Sequence, residues 1–137
     1  MNKVVIGLGS NINPKKNILK ASRLLSQKYK LIKKSRFIKT KAIGNKSQAD
    51  FINGAILLET QSTLGELRRS LKDIEKKLGR EPIHPRYGPR TMDLDIIVWN
   101  GKIIDRDFYK RKFLRQSVIE LIPDLPYYRP RQRQPLC

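Results

Sequence analysis

Three apolar runs have the length and content of strands: VVIGL at 4–8, FINGAILLET at 51–60 and DLDIIVW at 93–99. A helix-patterned segment lies in each interval between them, which restricts the chain to folds where helices cross over a sheet. Asn13 followed by Pro14 predicts an N-cap and a first helical residue, with Ile18, Ala21, Leu25 and Tyr29 on one face of the helix that follows. Leu31 to Thr40 has moderate β character and precedes a long polar connection at 41–50, a candidate substrate loop because connections of this size in small domains generally serve function. Thr63 and Glu66 form a T-x-x-E capping box; Leu64, Leu67, Leu71, Ile74 and Leu78 repeat at helical spacing until Gly79 ends the element. Residues 80–91, REPIHPRYGPRT, hold three prolines, a glycine and three arginines and read as a loop. After the 93–99 run, Asn100-Gly101 predicts a two-residue hairpin turn with a short return strand, and FLRQSVIELIPDL predicts a short helix before Pro123.

The resulting order is β-α-β-β-α-β with a C-terminal addition. It predicts an α+β fold of the ferredoxin-like, split βαβ kind: an antiparallel sheet with helices packed on one face, plus a short C-terminal hairpin and helix. Residues 1–125 are expected to form one domain and 126–137 a mobile, basic, proline-rich tail. Composition narrows the partners. Thirty Lys and Arg against twelve Asp and Glu give a net charge of +18, a potential that attracts phosphate-rich anions. The single cysteine, Cys137, has no partner for an internal disulfide, and no apolar run is long enough for a membrane span or signal-peptide core. The expectation is a monomeric cytoplasmic protein without membrane contact.

Within this basic chain, Asp93 and Asp95 stand two apart in GPRTMDLDI. On a strand such residues share a face, so the pair makes a hard anionic oxygen site suited to Mg²⁺. Taken alone, such a pair is more often a structural Asp–Arg cluster than a metal site. Arg80, Arg86 and Arg90 flank it on the loop, and guanidinium groups bind phosphate oxygens in a bidentate fork. Metal and phosphate ligands would then converge, as phosphoryl-type transfer requires. The chain lacks G-x-x-x-x-G-K-[ST], and GLGSN lacks the third glycine of a dinucleotide fingerprint.

GLGSN near the start, FINGA opening the third strand, EKKLGR ending the second helix and RYGPRTMDLDI together resemble the 6-hydroxymethyl-7,8-dihydropterin pyrophosphokinases of folate biosynthesis, over about residues 3–125. The resemblance implies pyrophosphoryl transfer from MgATP to the hydroxymethyl group of the reduced pterin. Asp93 and Asp95 would hold two Mg²⁺ ions and, with Arg80 and Arg90, would carry the catalytic role. Phe51 and Phe113 would sandwich the pterin ring, and Asn53 would read its edge. Thr40 and the backbone near Ile43 would complete the pterin contacts, with Tyr87 as an aromatic cover. Glu75, Arg80, Arg90 and Arg111 would lie near the nucleotide, while Glu120 and Asp124 would be structural and His84 solvated.

The chain also departs from the family pattern. It reads TKAIG where a T-x-P-x-G segment is usual, has Tyr87 where tryptophan is frequent, and has Pro82 in place of a second arginine. Between Ile104 and Phe113 it lacks the family's longer segment with a Pro-His pair, and Tyr109, Lys110 and Arg111 are the candidates to replace its nucleotide contacts. Two alternatives stand beside the enzyme: a relative with weakened or lost catalysis acting as a binding protein, and a basic RNA-binding ferredoxin-like module. The absence of an aromatic RNA-reading strand motif argues against nucleic acid as partner.

Overall fold

The strand β1 (Asn2–Ser10) is buried at every residue from Val4 to Ser10, which requires cover on both faces and both edges. It receives that cover from β4 (Phe51–Thr60) along one edge and β5 (Asp93–Trp99) along the other, both antiparallel. β2 (Lys30–Lys34) and β3 (Ile38–Thr40) pair with β4 in turn, and β6 (Lys102–Ile103) pairs with β5, giving a six-stranded sheet. The computed structural model describes residues 1–41, 49–79 and 91–127. In the order β2-β4-β1-β5, helix α1 (Pro14–Lys28) joins β1 to β2 across β4, and α2 (Leu64–Lys77) joins β4 to β5 across β1. That is the split βαβ arrangement expected from the sequence.

The expected Leu31–Thr40 segment is two strands, because Ser35 breaks it. Its N–H donates to the Ala55 carbonyl at 2.9 Å, and its hydroxyl oxygen accepts from the Ala55 N–H at 2.8 Å. A side chain thus supplies the acceptor that a regular strand takes from its backbone. β2 is otherwise exposed apart from Leu31 and carries Lys30, Lys33 and Lys34, charges of the kind that discourage pairing at an open sheet edge. At the start of α1, Asn13 holds the predicted cap position with φ of 40° but makes no side-chain cap; instead the Asn17 amide side chain donates to the Ile12 carbonyl at 2.6 Å.

The helices do not all lie on one face. α1 and α2 cover one side, packing Ala21, Leu25, Leu67, Leu71 and Ile74 against Val4, Ile6, Leu8, Ile56, Leu58, Leu94 and Ile96. On the other side, the one-turn α3 (Asp107–Lys110) and α4 (Lys112–Leu121) bring Phe108, Leu114, Val118 and Leu121 onto Val5, Ala55, Ile97 and Val98. The central strands are apolar on both faces, so a second layer is needed to remove the second face from water. Tyr127, from the stretch assigned to the tail, packs edge-on against Phe108 at 5.1 Å between ring centres; residues 128–137 lie outside the described residues.

The hairpin turn has φ of 50° at Asn100 and 79° at Gly101, the double left-handed geometry that an Asn-Gly pair favours. The capping box of α2 forms as read: the Thr63 N–H donates to Glu66 Oε1 at 2.9 Å and the Glu66 N–H to Thr63 Oγ1 at 3.2 Å. Thr63→Ala should cost about 1 kcal/mol in urea unfolding. The bonds from the Thr63 backbone and side chain hold the Glu66 carboxyl below the usual carboxylate range. Its contribution is therefore complete above the unfolded-state value and is lost as pH falls through the lower folded value, so the difference between wild type and variant should shrink in acid.

Candidate active site

Residues directly opposite in an antiparallel ladder share a face of the sheet. Asn53 of β4, Gly9 of β1 and Asp93 of β5 form one such row, and Ala55, Gly7 and Asp95 the next. With the two-residue period of each strand, Phe51, Asn53, Asp93 and Asp95 all stand on the face that carries α4. Leu114 of α4 reaches within 3.5 Å of where a Gly7 side chain would begin, so α4 covers the inner part of this face. Farther out, Asp93 is half-buried and Asp95 exposed. Among the described residues, the sheet thus leaves a strip beyond α4 with carboxylates on β5 and an aromatic and an amide on β4.

A bulge separates the strip from the hairpin. The β1–β5 register shifts between Val5 and Ile6, leaving Ile97 without an opposite residue, and Ile97 and Val98 both enter the cluster beneath α4. The extra residue resets the alternation, so Asp93 and Asp95 keep the open face while Trp99 joins the cluster on the far side.

Three features of GLGSN shape the strip. The Asn53 amide nitrogen donates to Thr40 Oγ1 at 2.5 Å, and a β-carbon on Gly9 would sit 2.5 Å from Asn53 Oδ1. The carboxamide therefore lies over Gly9, a place only glycine leaves free, with Thr40 fixing its direction. Ser10, fully buried, shares its hydroxyl proton between the carbonyls of Thr91 at 2.6 Å and Ile12 at 3.1 Å. The Asn11 amide donates to the Ala49 carbonyl at 3.2 Å. One turn thereby ties down the chain just before β4 and just before β5. The roles of Gly9, Ser10 and Asn11 come from the fold, since only the register puts Gly9 opposite Asn53 and Asp93.

Glu75 lies on the opposite side of the sheet from the strip. It is 7% exposed, and its Oε2 accepts the Leu94 N–H at 2.8 Å, between the two aspartates in sequence. A hydrogen bond to a charged acceptor is worth roughly 1.5–3 kcal/mol. Phe113, in the first turn of α4, is partly buried against the second cluster, and Phe51 approaches within 3.9 Å of the Gly9 side-chain position. Arg111 sits between α3 and α4 with Nε 3.6 Å from Asp107 Oδ2, and Tyr109 and Lys110 are exposed beside it. Ile43, Arg80, Arg86, Tyr87 and Arg90 lie outside the described residues, as do Pro82 and His84.

The sequence profile of the 7,8-dihydro-6-hydroxymethylpterin-pyrophosphokinases matches residues 5–123. The chain belongs to this family. A 2-amino-4-hydroxy-6-hydroxymethyldihydropteridine pyrophosphokinase of Haemophilus influenzae is 33% identical over 131 residues, covering 88% of this chain and 81% of that protein. The enzyme of the same name from Aquifex aeolicus is 31% identical over 140 residues, covering 94% and 87%, and that of Bacillus subtilis 32% over 133 residues, covering 88% and 79%. The pyrophosphokinase match runs from β1 to the end of α4 and so includes the strip and the helix that borders it. Gly9→Ala should push the Asn53 carboxamide away from Thr40, shifting the Asn53 side-chain amide signals in NMR spectra and costing about 1–3 kcal/mol of stability through overpacking.

Proposed function

We propose that this chain transfers the pyrophosphoryl group of ATP to 6-hydroxymethyl-7,8-dihydropterin in folate biosynthesis. The hydroxymethyl oxygen attacks the β-phosphorus, the bond from that phosphorus to the oxygen bridging it to the α-phosphorus breaks, and AMP leaves while the hydroxyl proton passes to water. The observation that carries this reading is the row Asn53–Gly9–Asp93 in a chain of this family. Asn53 and Asp93 are two strand spacings apart, about 10 Å. A bicyclic pterin whose amide-like edge pairs with Asn53 can direct its hydroxymethyl arm toward the carboxylates.

Asp93 and Asp95 suit Mg²⁺: both offer hard oxygens on one face, and both retain access to water. Mg²⁺ keeps several waters and is commonly held by one or two carboxylates together with substrate phosphates, so a pair of aspartates suffices on the protein side. Asp93 and Asp95 would hold the two Mg²⁺ ions, which would neutralise triphosphate charge and make the attacking hydroxyl more acidic. Phe51 and Phe113 stack on the pterin ring, Thr40 holds Asn53 in its reading orientation, and the backbone near Ile43 and the Tyr87 ring complete the pocket. Arg80, Arg90 and Arg111 take the nucleotide phosphates, with Glu75 behind the β5 strand. The RNA-binding alternative fits poorly with a strip that presents two carboxylates.

AMP should form only when ATP, Mg²⁺ and the hydroxymethyl-dihydropterin are all present, as chromatography of the products will show. Asp95→Asn should lower turnover by ~10³-fold or more, the scale of losing preorganised charge stabilisation, with circular dichroism unchanged. Retained turnover would remove the metal assignment. Arg111→Ala should raise the KM for ATP by about tenfold, the equivalent of one charge-assisted hydrogen bond, and leave the pterin KM unaltered.

A further inference from the structure

We propose that Glu75 is a positioning residue for the aspartate pair, clamping the β5 backbone from behind so that Asp93 and Asp95 keep the spacing that divalent-metal binding demands. The inference rests on the metal reading of that pair. β6 covers only Val98 and Trp99, so among the described residues no strand runs beside β5 at the site end. A strand edge of this kind leaves backbone donors without a ladder partner. The Leu94 side chain is buried against α2, and its N–H meets Glu75 Oε2 at 2.8 Å. Glu75 stands in the last turn of α2, where the helix dipole disfavours a carboxylate, and it is 7% exposed. Its carboxyl holds the Asp93–Leu94 peptide, which joins Asp93 directly and lies one residue before Asp95.

The test uses the full chain in three forms: wild type, Glu75→Ala and Glu75→Gln. Leu71→Ala, one turn earlier on the buried face of α2, serves as a control for general destabilisation. Hydrogen exchange of the Leu94 amide, followed by NMR without metal or nucleotide, should quicken by about tenfold in Glu75→Ala, the loss of one hydrogen bond, and by less than that in Glu75→Gln, which keeps an acceptor. Mn²⁺ binding in the presence of a nonhydrolysable ATP analogue, read by electron paramagnetic resonance, should weaken ~10–100-fold in Glu75→Ala, the usual cost of losing a group that orients a ligand. Glu75→Gln should recover most of that affinity, and Leu71→Ala should leave it unchanged.

Unaltered Leu94 exchange in Glu75→Ala would overturn the clamp. So would equal loss of Mn²⁺ affinity in the Gln and Ala variants with Leu94 still protected in Glu75→Gln, because the charge itself would then be acting. If wild type binds no Mn²⁺ while the Leu94 protection depends on Glu75, the metal reading of the pair fails and the backbone clamp stands.

Discussion

The register of β1 between β4 and β5 is the constraint on which the site depends. Gly9 lies opposite Asn53 on one side and Asp93 on the other, so a single ladder row carries a heterocycle-reading amide and a metal-binding carboxylate. A one-residue slip in β1 would break that row and carry Gly9 to the other face, since the side-chain period of a strand is two. The apolar residues of β1 resist such a slip. Val4, Ile6 and Leu8 belong to the cluster under α1 and α2, whereas Val5 belongs to the cluster under α4. Gly9 then makes a floor low enough for the Asn53 carboxamide to lie over it, and Leu114 packs over Gly7.

The two layers of helices divide the work. α1 and α2 close one face and complete the larger cluster, and α2 also reaches the edge of β5 through Glu75. α4 closes only part of the other face, with Leu114 over Gly7, and the part that α4 does not cover is the strip. Phe113 stands at that boundary because it opens the helix whose later residues, Val118 and Leu121, are fixed in the cluster. The segment before it folds into α3, anchored by the buried Phe108 and by the Arg115 guanidinium, which donates to the carbonyls of Phe108 and Tyr109 at 3.1 and 2.9 Å.

Local physics made much of this legible. The capping box at Thr63, the Asn-Gly turn and the two-residue spacing of Asp93 and Asp95 each depend on neighbouring residues alone, and each is found as read. Ser35 escaped notice because its effect comes from a bond to Ala55, twenty residues away. The second helical layer escaped because amphipathic periodicity shows that a helix has a buried face but not which side of a sheet receives it. Ser10 and Asn11 act through the Thr91 and Ala49 carbonyls, partners that only the fold brings near. The family resemblance implies a place for Glu75 near the nucleotide, whereas its bond to Leu94 depends on the crossing of α2 over β5.

The positive charge of the first 49 residues lies outside this machinery. Residues 1–49 contain thirteen Lys and Arg and no Asp or Glu, and those on α1 and β2 are exposed. Such charge attracts anions at a distance, whereas chemistry requires groups held in register. The most direct measurement is a crystal structure of the protein with Mg²⁺, a nonhydrolysable ATP analogue and 6-hydroxymethylpterin. It should show an ion bonded to oxygens of both Asp93 and Asp95, and the pterin edge paired with Asn53 between Phe51 and Phe113. Aspartates paired only with arginine side chains, with the nucleotide and pterin bound away from the strip, would contradict the account.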